Sequence, residues 1–350
     1  MAFDHLPAGV HDAFGPLSIP PVTHSMPMAK NSPTGGPSSG APAQTSPRAV
    51  LDRLTAGPSR ASRVTHTEHL PPRAARYAVW PDRIRAEVIS AVRAAGIERP
   101  WAHQALAAEH ALDGASVVVA TGTASGKSLA YLTPVLSALL DGSEAPNGRG
   151  ATALYLAPTK ALAADQRRAV RALAAPLGNA VRPAVYDGDT PFEEREWVRQ
   201  YANYVLTNPD MLHRGILPSH PRWSSFLRAL RYVVIDECHT YRGVFGSHVA
   251  QVIRRLRRLC ARYGSDPVFL LASATSADPA ASAERLIGLP VKEVADDASP
   301  RGELVFALWE PPLTDLHGEK GAPVRRTATA ETADLLTDLT VQGVRSVAFV

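Results

Sequence analysis

The chain has little cysteine, little lysine and no long apolar run. Its 350 residues include only two cysteines, Cys238 and Cys260. That number excludes a disulfide framework and a zinc site built from several cysteines within this stretch, and it fits a reducing compartment. No apolar run reaches the roughly 18 residues that a membrane-spanning helix needs, and the first residues do not resemble a signal peptide. We therefore expect a cytoplasmic protein without membrane contact.

Arginine replaces lysine almost everywhere. The lysines are Lys30, Lys127, Lys160, Lys292 and Lys320. Such a chain is expected to keep lysine where a compact, mobile charge is needed, and two of these lysines fall in motifs described below. The formal net charge is only +4. This mild basic excess permits nucleic-acid binding, but it is also typical of a surface that serves solubility.

Composition divides the chain into four segments. Residues 1–64 are rich in Pro, Ser, Gly, Ala and Thr and are expected to form a disordered tail, because they offer too little apolar surface to offset the entropy of ordering. Residues 65–295 are expected to form a globular domain with helices at its N-terminus. Residues 296–326, which contain several prolines, are expected to be an interdomain linker, and residues 327–350 the start of a second domain.

Short apolar runs alternate with helical patterns. Five runs are each typical of a strand buried on both faces of a parallel sheet, namely Val117–Ala120, Ala153–Ala157, Tyr204–Leu206, Tyr232–Ile235 and Val268–Ala272. The spacing of apolar residues predicts helices over Ile84–Ala95, His103–Leu112, Leu129–Leu140 and His248–Tyr263. This alternation predicts an α/β fold with a doubly wound parallel sheet.

A polar cluster follows each of the five predicted strands. The clusters are Thr121–Ser128, Pro158–Lys160, Thr207–Asp210, Asp236–His239 and Ser273–Thr275. The carboxyl ends of parallel strands meet at one edge of the sheet, and ligands bind there in open α/β sheets. Five clusters in the same relative position indicate a binding site rather than chance loops.

The first cluster is a candidate phosphate-binding loop for ATP. It consists of Thr121, Gly122, Thr123, Ala124, Ser125, Gly126, Lys127 and Ser128. Small residues between a strand and a helix let backbone N–H groups wrap a polyphosphate. Lys127 is predicted to reach the β- and γ-phosphates, and the Ser128 hydroxyl to ligate Mg²⁺. Thr121 stands where the strict pattern has Gly, so a small-residue turn that caps a helix is the alternative.

An acidic pair, Asp236 and Glu237, follows the fourth predicted strand. Adjacent carboxylates there suit divided roles: Asp236 is predicted to hold Mg²⁺, and Glu237 to deprotonate the attacking water. His239 is a candidate for coupling across a domain gap. The alternative is an acidic helix N-terminus. Cys238, which lies between these residues without a cysteine partner, is predicted to be a small buried apolar residue.

In this order, the clusters resemble the motifs of the superfamily 2 DEAD/DEAH-box helicases. Motif I is Thr121–Ser128, Ia Pro158–Leu162, Ib Thr207–Asp210, II Asp236–His239 and III Ser273–Thr275. The resemblance implies a RecA-like fold of the P-loop NTPase class, with ATP and Mg²⁺ as cofactors. It implies that Gln104, in an element with Trp101 and His103, contacts adenine. It also implies coupling by His239, Ser273 and Thr275, and a nucleic-acid track along Thr159, Lys160, Thr207 and Asn208.

Three longer stretches are similar to a narrower group, the MrfA (YprA) type of bacterial DNA repair helicase, related to the RecQ4-like group. They are Ala120–Ser128, Tyr186–Thr190 and His239–His248. The similarity implies ATP-driven movement 3′ to 5′ on single-stranded DNA. Arg345–Val350 resembles the opening strand of the second RecA-like domain, and motifs V and VI do not occur. We therefore expect an N-terminal fragment with a truncated second RecA-like domain. This fragment is expected to be inactive or weakly active on its own.

Three other functions stay open from the sequence. An RNA helicase of the same superfamily carries the same motifs I to III. A P-loop kinase or nucleotide switch has no use for Thr207–Asp210 and Ser273–Thr275. A non-catalytic nucleic-acid-binding fragment is consistent with the truncation.

The roles of two sets of basic residues also stay open. Lys160 is equally suited to adding charge and to capping a helix. An arginine stripe is predicted to be a solvated helix face rather than a DNA patch: Arg254, Arg255, Arg257, Arg258 and Arg262.

Overall fold

The computed structural model describes residues 46–275, 277–315 and 323–349. The strands are β1 (Val64–Leu70), β2 (Val117–Ala120), β3 (Thr152–Leu156), β4 (Pro183–Val185), β5 (Tyr204–Thr207), β6 (Leu230–Ile235), β7 (Val268–Ser273), β8 (Lys292–Val294), β9 (Leu304–Trp309), β10 (Leu313–Asp315) and β11 (Val324–Arg325). The helices are α1 (Pro47–Leu54), α2 (Pro58–Ala61), α3 (Ala86–Ala94), α4 (Ala102–Leu112), α5 (Lys127–Ser143), α6 (Lys160–Ala174), α7 (Phe192–Tyr201), α8 (Pro209–Met211), α9 (Ser224–Arg228), α10 (Gly243–Tyr263), α11 (Pro279–Ile287) and α12 (Ala328–Val341). Short 3₁₀ helices span Ala175–Ala180, His220–Trp223 and Cys238–Thr240, and a π-helical turn spans Leu212–Ile216.

A seven-stranded parallel sheet organises the fold, with strand order β4-β5-β3-β6-β7-β2-β8. Its central strands are short and apolar and are buried on both faces. Helices α3 to α6 pack on one face, and α7, α9, α10 and α11 pack on the other. The predicted doubly wound α/β fold is confirmed. The five strands predicted from apolar runs form its interior, while β4 (PAV) and β8 (KEV), the two edge strands, contain a proline or charged residues and so lack a solid apolar run.

The register of the sheet brings the polar clusters to one edge. Leu156 of β3 pairs with Ile235 of β6, so both strands end at the same level. Ala120 of β2 pairs with Ser273 of β7. Because every pairing in this sheet is parallel, the segments that follow these strands share the carboxyl edge.

The tail prediction is wrong where the structure tests it. Residues 1–45 lie outside the described part of the chain, but within 46–64 the chain forms α1 and α2. Ser46 caps α1, because its hydroxyl accepts from the Ala49 N–H at 3.2 Å. Arg53 then donates to Gln342 at 2.8 Å. Gln342 lies 289 positions from Arg53, so local composition could not predict this contact.

The predicted linker, 296–326, is also partly integrated into the fold. Strand β9 pairs antiparallel with β1. The carboxylate of Glu331 on α12 then joins three segments, because it accepts from Arg63 at 2.8 Å, from Trp309 at 2.8 Å and from Arg326 at 2.7 Å. The opening strand predicted at Arg345–Val350 is not present over residues 344–349, and Val350 lies outside the described residues.

Candidate nucleotide site

The predicted phosphate loop links β2 to α5, and its own side chains brace it. The Ser125 hydroxyl donates to the carbonyl of Gly122 at 2.7 Å. A hydroxyl has one proton, so Thr121 must be the donor in its 2.6 Å bond to the Ser125 oxygen. Thr121 is fully buried. Its hydroxyl thus supports the loop at the position where the strict pattern has Gly, which explains why this departure is tolerated.

Lys127, the first residue of α5, folds its ammonium back onto the loop. Its Nζ donates to the carbonyl oxygens of Thr121, at 3.1 Å, and Gly122, at 2.8 Å. Thr123 and Ala124 form the exposed tip of the loop. A phosphate that approaches the N-terminus of α5 would meet this ammonium and the helix dipole together.

The acidic pair follows β6 in an unusual backbone conformation. The Asp236 Oδ1 atom accepts from the Glu237 N–H at 2.9 Å, and Glu237 has a φ of 48°. Among the described residues, only Glu237 and Ala124 are non-glycine residues with positive φ. Such strain persists only where surrounding contacts enforce it, and it is typical of functional sites. Both strained residues belong to the two motifs predicted to handle ATP.

Tyr131 connects the loop to the acidic pair. Its hydroxyl lies 3.2 Å from the Ser128 hydroxyl and 3.2 Å from Asp236 Oδ2. Tyr155 on β3 donates to the same Oδ2 at 2.6 Å. The predicted metal ligands Ser128 and Asp236 therefore lie within two hydrogen-bond lengths of each other. Sequence reasoning missed both tyrosines, although Tyr131 lies three residues after Ser128 and so on the same helix face.

The Ser273–Thr275 cluster contacts the acidic motif, Asp236–His239. His239 Nδ1 accepts from the Ala274 N–H at 3.1 Å, and the Ser273 hydroxyl donates to the Ala274 carbonyl at 2.8 Å. Thr275 is exposed. Motifs II and III thus meet directly through His239. Cys238, predicted to be a small buried apolar residue, is half-buried. Desolvation raises the pKa of its thiol to about 12, so the thiol stays protonated.

Gln104, which the resemblance implies contacts adenine, is hydrogen-bonded at both ends of its amide within the fold. Its Oε1 accepts from the Trp101 N–H at 2.9 Å, and its Nε2 donates to the Gly126 carbonyl at 2.9 Å. Both ends of the amide are engaged and the side chain is buried. In this arrangement, Gln104 braces the phosphate loop from the start of α4 rather than offering its amide to a base.

His103 joins the phosphate loop to the segment that follows β8. Its Nε2 donates to the Ser125 carbonyl at 2.9 Å, and its Nδ1 accepts from the Ala298 N–H at 3.1 Å. These two bonds require the neutral ring with its proton on Nε2. Next to it, Asp297 pairs with Arg73 at 2.9 Å. The first part of the predicted linker therefore packs beside the predicted phosphate loop.

The fixed tautomer of His103 predicts a pH dependence of stability. Burial lowers its folded-state pKa below the unfolded value of about 6.5. Between the two values the unfolded chain binds more protons, so the free energy of unfolding falls as pH falls through that window. A proton on Nδ1 would also face the Ala298 N–H, donor against donor. Asp297 favours the charged ring, while Lys127 and Arg73 oppose it.

The measurement is urea denaturation of the wild type and His103→Ala at pH 8 and pH 5. The wild type is expected to be more stable by about 1–3 kcal/mol at pH 8, the usual effect of leaving buried hydrogen-bonding groups without a partner. This difference should shrink at pH 5, because only the wild type has a ring to protonate at this position. The other histidines contribute equally to both curves. Parallel pH profiles for the two proteins would contradict the assignment.

The predicted nucleic-acid residues split into accessible and inaccessible ones. Thr159 caps α6, because its hydroxyl accepts from the Leu162 N–H at 3.3 Å, and it is exposed. Asn208 caps α8 through a 2.8 Å bond from Met211 and is partly exposed. Thr207 is 1% exposed, and its hydroxyl donates to the Tyr186 carbonyl at 2.6 Å. The Thr207 hydroxyl is already used inside the fold, so its side chain has no exposed group for the predicted phosphate contact in this arrangement.

The ammonium of Lys160 forms an ion pair instead of remaining unpaired or capping a helix. Its Nζ pairs with Asp189 at 2.6 Å, and both side chains are exposed. The contact raises the pKa of Lys160. Because an exposed ion pair contributes little to stability, a competing phosphate could replace Asp189.

The arginine stripe on α10 is partly structural, while Arg258 and Arg262 are exposed as predicted for a solvated face. Arg254 donates to the Arg285 carbonyl at 3.1 Å, and Arg257 donates to the carbonyls of Ile287 and Gly288 at 3.1 and 2.9 Å. These oxygens end α11, where cations are favoured. Two members of the stripe are therefore used to cap a neighbouring helix.

The donor set fits Mg²⁺ with a polyphosphate. The hydroxyl of Ser128 and the carboxylate of Asp236 are the hard oxygen ligands that this ion prefers, and protein Mg²⁺ sites commonly use one or two carboxylates plus phosphate oxygens. No group of three or more His, Cys, Asp or Glu side chains suited to a metal occurs in the described part of the chain. A cation here would therefore depend on nucleotide oxygens. Among the same residues, no helix is long and apolar enough to cross a membrane.

Comparison with known proteins agrees with this geometry. A family model described as DEAD/DEAH box helicase matches residues 101–283, which contain the loop, the acidic pair and the Ser273–Thr275 cluster. The ATP-dependent helicase YprA of Bacillus subtilis is 42% identical over 286 residues, which are 82% of this chain and 37% of YprA. The ATP-dependent helicase hrq1 of Schizosaccharomyces pombe is 37% identical over 79% of this chain and 26% of its own length.

Solved structures show the same fold. A crystal structure of the DUF1998 helicase MrfA bound to DNA and AMPPNP matches with a TM-score of 0.76 and 40% identity, covering 83% of this chain and 38% of that one. The RecA-like class of the sheet is thereby confirmed. The chain spans less than two fifths of the length of each of these three proteins.

Proposed function

Because the chain belongs to the DEAD/DEAH box helicase family, we propose that it forms the ATP-binding and hydrolysing part of an ATP-dependent DNA helicase. The observation that carries the proposal is the Tyr131 hydroxyl, which lies 3.2 Å from both Ser128 and Asp236. That contact brings the Ser128 hydroxyl and the Asp236 carboxylate within two hydrogen-bond lengths of each other, which supports their joint use on one triphosphate and its metal ion.

Each residue has a defined task in this proposal. Lys127 exchanges its two carbonyl partners for phosphate oxygens, and Ser128 and Asp236 hold Mg²⁺. When bound, Mg²⁺ neutralises charge that develops on the phosphate oxygens. Glu237 orients the attacking water and takes its proton. His239 transmits the state of the site to Ala274 and so to the Ser273–Thr275 cluster.

We further propose that the track for nucleic acid passes Thr159, Lys160 and Asn208 at the same sheet edge. Contacts of this kind bind the sugar–phosphate backbone without reading bases. The MrfA relative is bound to DNA in its crystal structure, which favours DNA as the partner here. The resemblance to that group supports movement 3′ to 5′ on single-stranded DNA and a role in DNA repair, and the low cysteine count supports a cytoplasmic location. Residues 327–350 would begin the second RecA-like domain.

Strand displacement by the full-length protein tests the proposal. We expect ATP-dependent unwinding with a DNA tracking strand and little with an RNA one. Unwinding that requires an RNA tracking strand would instead favour the RNA helicase. ATP turnover that is equal with and without nucleic acid would favour a kinase or nucleotide switch, and the absence of any ATP turnover would favour a non-catalytic binding role.

A further inference from the structure

The carboxylate of Asp236 accepts hydrogen bonds from one backbone N–H and from the hydroxyls of two tyrosines. Its Oδ1 accepts from the Glu237 N–H at 2.9 Å. Its Oδ2 accepts from Tyr155 at 2.6 Å and lies 3.2 Å from the hydroxyl of Tyr131. The two tyrosines come from different elements, β3 and α5, and are 1% and 3% exposed. The side chain is thereby fixed from two directions in one orientation.

Counting protons gives the direction of the hydrogen bonds around Tyr131. Its hydroxyl has one proton and lies near two acceptors, the Asp236 carboxylate and the Ser128 hydroxyl. The ionised carboxylate is the stronger acceptor, so Tyr131 donates to Asp236. Tyr131 then accepts the proton of Ser128. With its proton turned toward Tyr131, the Ser128 oxygen presents its lone pairs to the other side, where a cation would bind.

We propose that Tyr131 and Tyr155 are positioning residues that set the geometry of the magnesium ligands Ser128 and Asp236. This inference rests on the proposed function and deepens it. Groups that hydrogen-bond to metal ligands orient them and tune metal affinity. The competing explanation is that the tyrosines only fill the core beneath α5. In that case, loss of a hydroxyl would change stability but not the dependence of nucleotide binding on Mg²⁺.

A matched control exists in the same tyrosine cluster. Tyr204 on β5 is fully buried and packs in the same apolar cluster as Tyr131 and Tyr155. Within the described residues, its hydroxyl meets no hydrogen-bond partner. Tyr204→Phe therefore removes a buried hydroxyl from this region without touching Asp236 or Ser128.

The experiment measures binding of a fluorescent ADP analogue to the chain while Mg²⁺ is titrated. For Tyr155→Phe and Tyr131→Phe we expect the Mg²⁺ concentration at half-maximal binding to rise by about 10- to 100-fold, the usual effect of removing a residue that supports a metal ligand. Nucleotide binding without Mg²⁺ should stay at the wild-type level. Tyr204→Phe should match the wild type in both measurements. Thermal unfolding of each variant reports whether it is folded.

The variant Asp236→Asn distinguishes a failure of the proposed metal site from a failure of the positioning role of the tyrosines. If Asp236→Asn leaves the Mg²⁺ dependence unchanged, the proposed metal site is wrong and the inference fails with it. If Asp236→Asn shifts the dependence but both tyrosine variants titrate like Tyr204→Phe, the proposed function stands and the positioning role is overturned. Should one tyrosine variant not fold, the other still tests the role, because each hydroxyl contacts Asp236 independently.

Discussion

Replacing Glu237 by Gln is expected to leave ATP binding unchanged and to lower the rate of ATP hydrolysis by about 10²- to 10⁴-fold. Glutamine preserves the size of the side chain and one acceptor oxygen, but it cannot take a proton from water. The backbone at Glu237, with φ 48° and ψ 40°, is held by the N–H bond to Asp236, which the substitution retains. The effect should therefore fall on the chemical step.

His239 does not neutralise the proposed base. Its Nδ1 lies 3.3 Å from Glu237 Oε2, but that nitrogen already accepts from the Ala274 N–H at 3.1 Å. A ring nitrogen that accepts a hydrogen bond has no proton to donate. The Glu237 carboxylate is therefore available for water in this arrangement.

The measurement is steady-state ATP hydrolysis by the full-length protein with single-stranded DNA, beside nucleotide binding in the same buffer. Glu196→Gln is the matched control, because Glu196 is an exposed carboxylate on α7 that accepts a hydrogen bond from Gln200 at 2.9 Å. The control should hydrolyse ATP like the wild type. Hydrolysis at the wild-type rate by Glu237→Gln would remove Glu237 from the mechanism.

The second large effect is expected for Gly126→Ala, which should weaken nucleotide binding and lower the rate of ATP hydrolysis by about 10²-fold, a loss of rate typical of displacing site groups by about 1 Å. Gly126 has φ 64° and ψ 28°, in the left-handed region that L-residues with a Cβ enter at a cost of roughly 1–2 kcal/mol. A Cβ would also lie 2.6 Å from Gln104 Nε2 and 2.9 Å from Trp101 Cζ3. The loop would have to move away from α4.

Gly148→Ala separates the clash from the backbone strain. Gly148 has a φ of 59°, close to that of Gly126, but a Cβ there would meet nothing nearer than Arg182 Nη1 at 3.8 Å. We expect this variant to lose a little stability in urea denaturation and to bind nucleotide normally. Equal nucleotide affinity for Gly126→Ala and Gly148→Ala would show that the contacts of the loop with Gln104 and Trp101 do not matter for binding.

The tertiary structure decided how several predicted residues are used. Gln104 and Thr207 are of the right type and at the right place along the chain for ligand contact, but their hydrogen-bonding groups are engaged by Gly126 and Tyr186. A sequence shows which residues reach an edge, whereas rotamer and partner depend on the packing around them. This is why the edge itself was predictable and these two contacts were not.

What the sequence determined by itself was the parallel sheet and the edge at which its polar residues gather. Apolar runs of three to five residues between amphipathic helices allow few other folds, and parallel strands necessarily bring their carboxyl ends together. The phosphate loop and the acidic pair therefore had to be neighbours.

What only the tertiary structure decided was the network around them. Tyr131 and Tyr155 reach Asp236 from 105 and 81 positions away. His103 reaches Ala298 across 195 positions, and Arg63 reaches Glu331 across 268. No local pattern encodes such pairs, because a buried hydroxyl, imidazole or carboxylate takes its partner from whichever segment the fold packs against it.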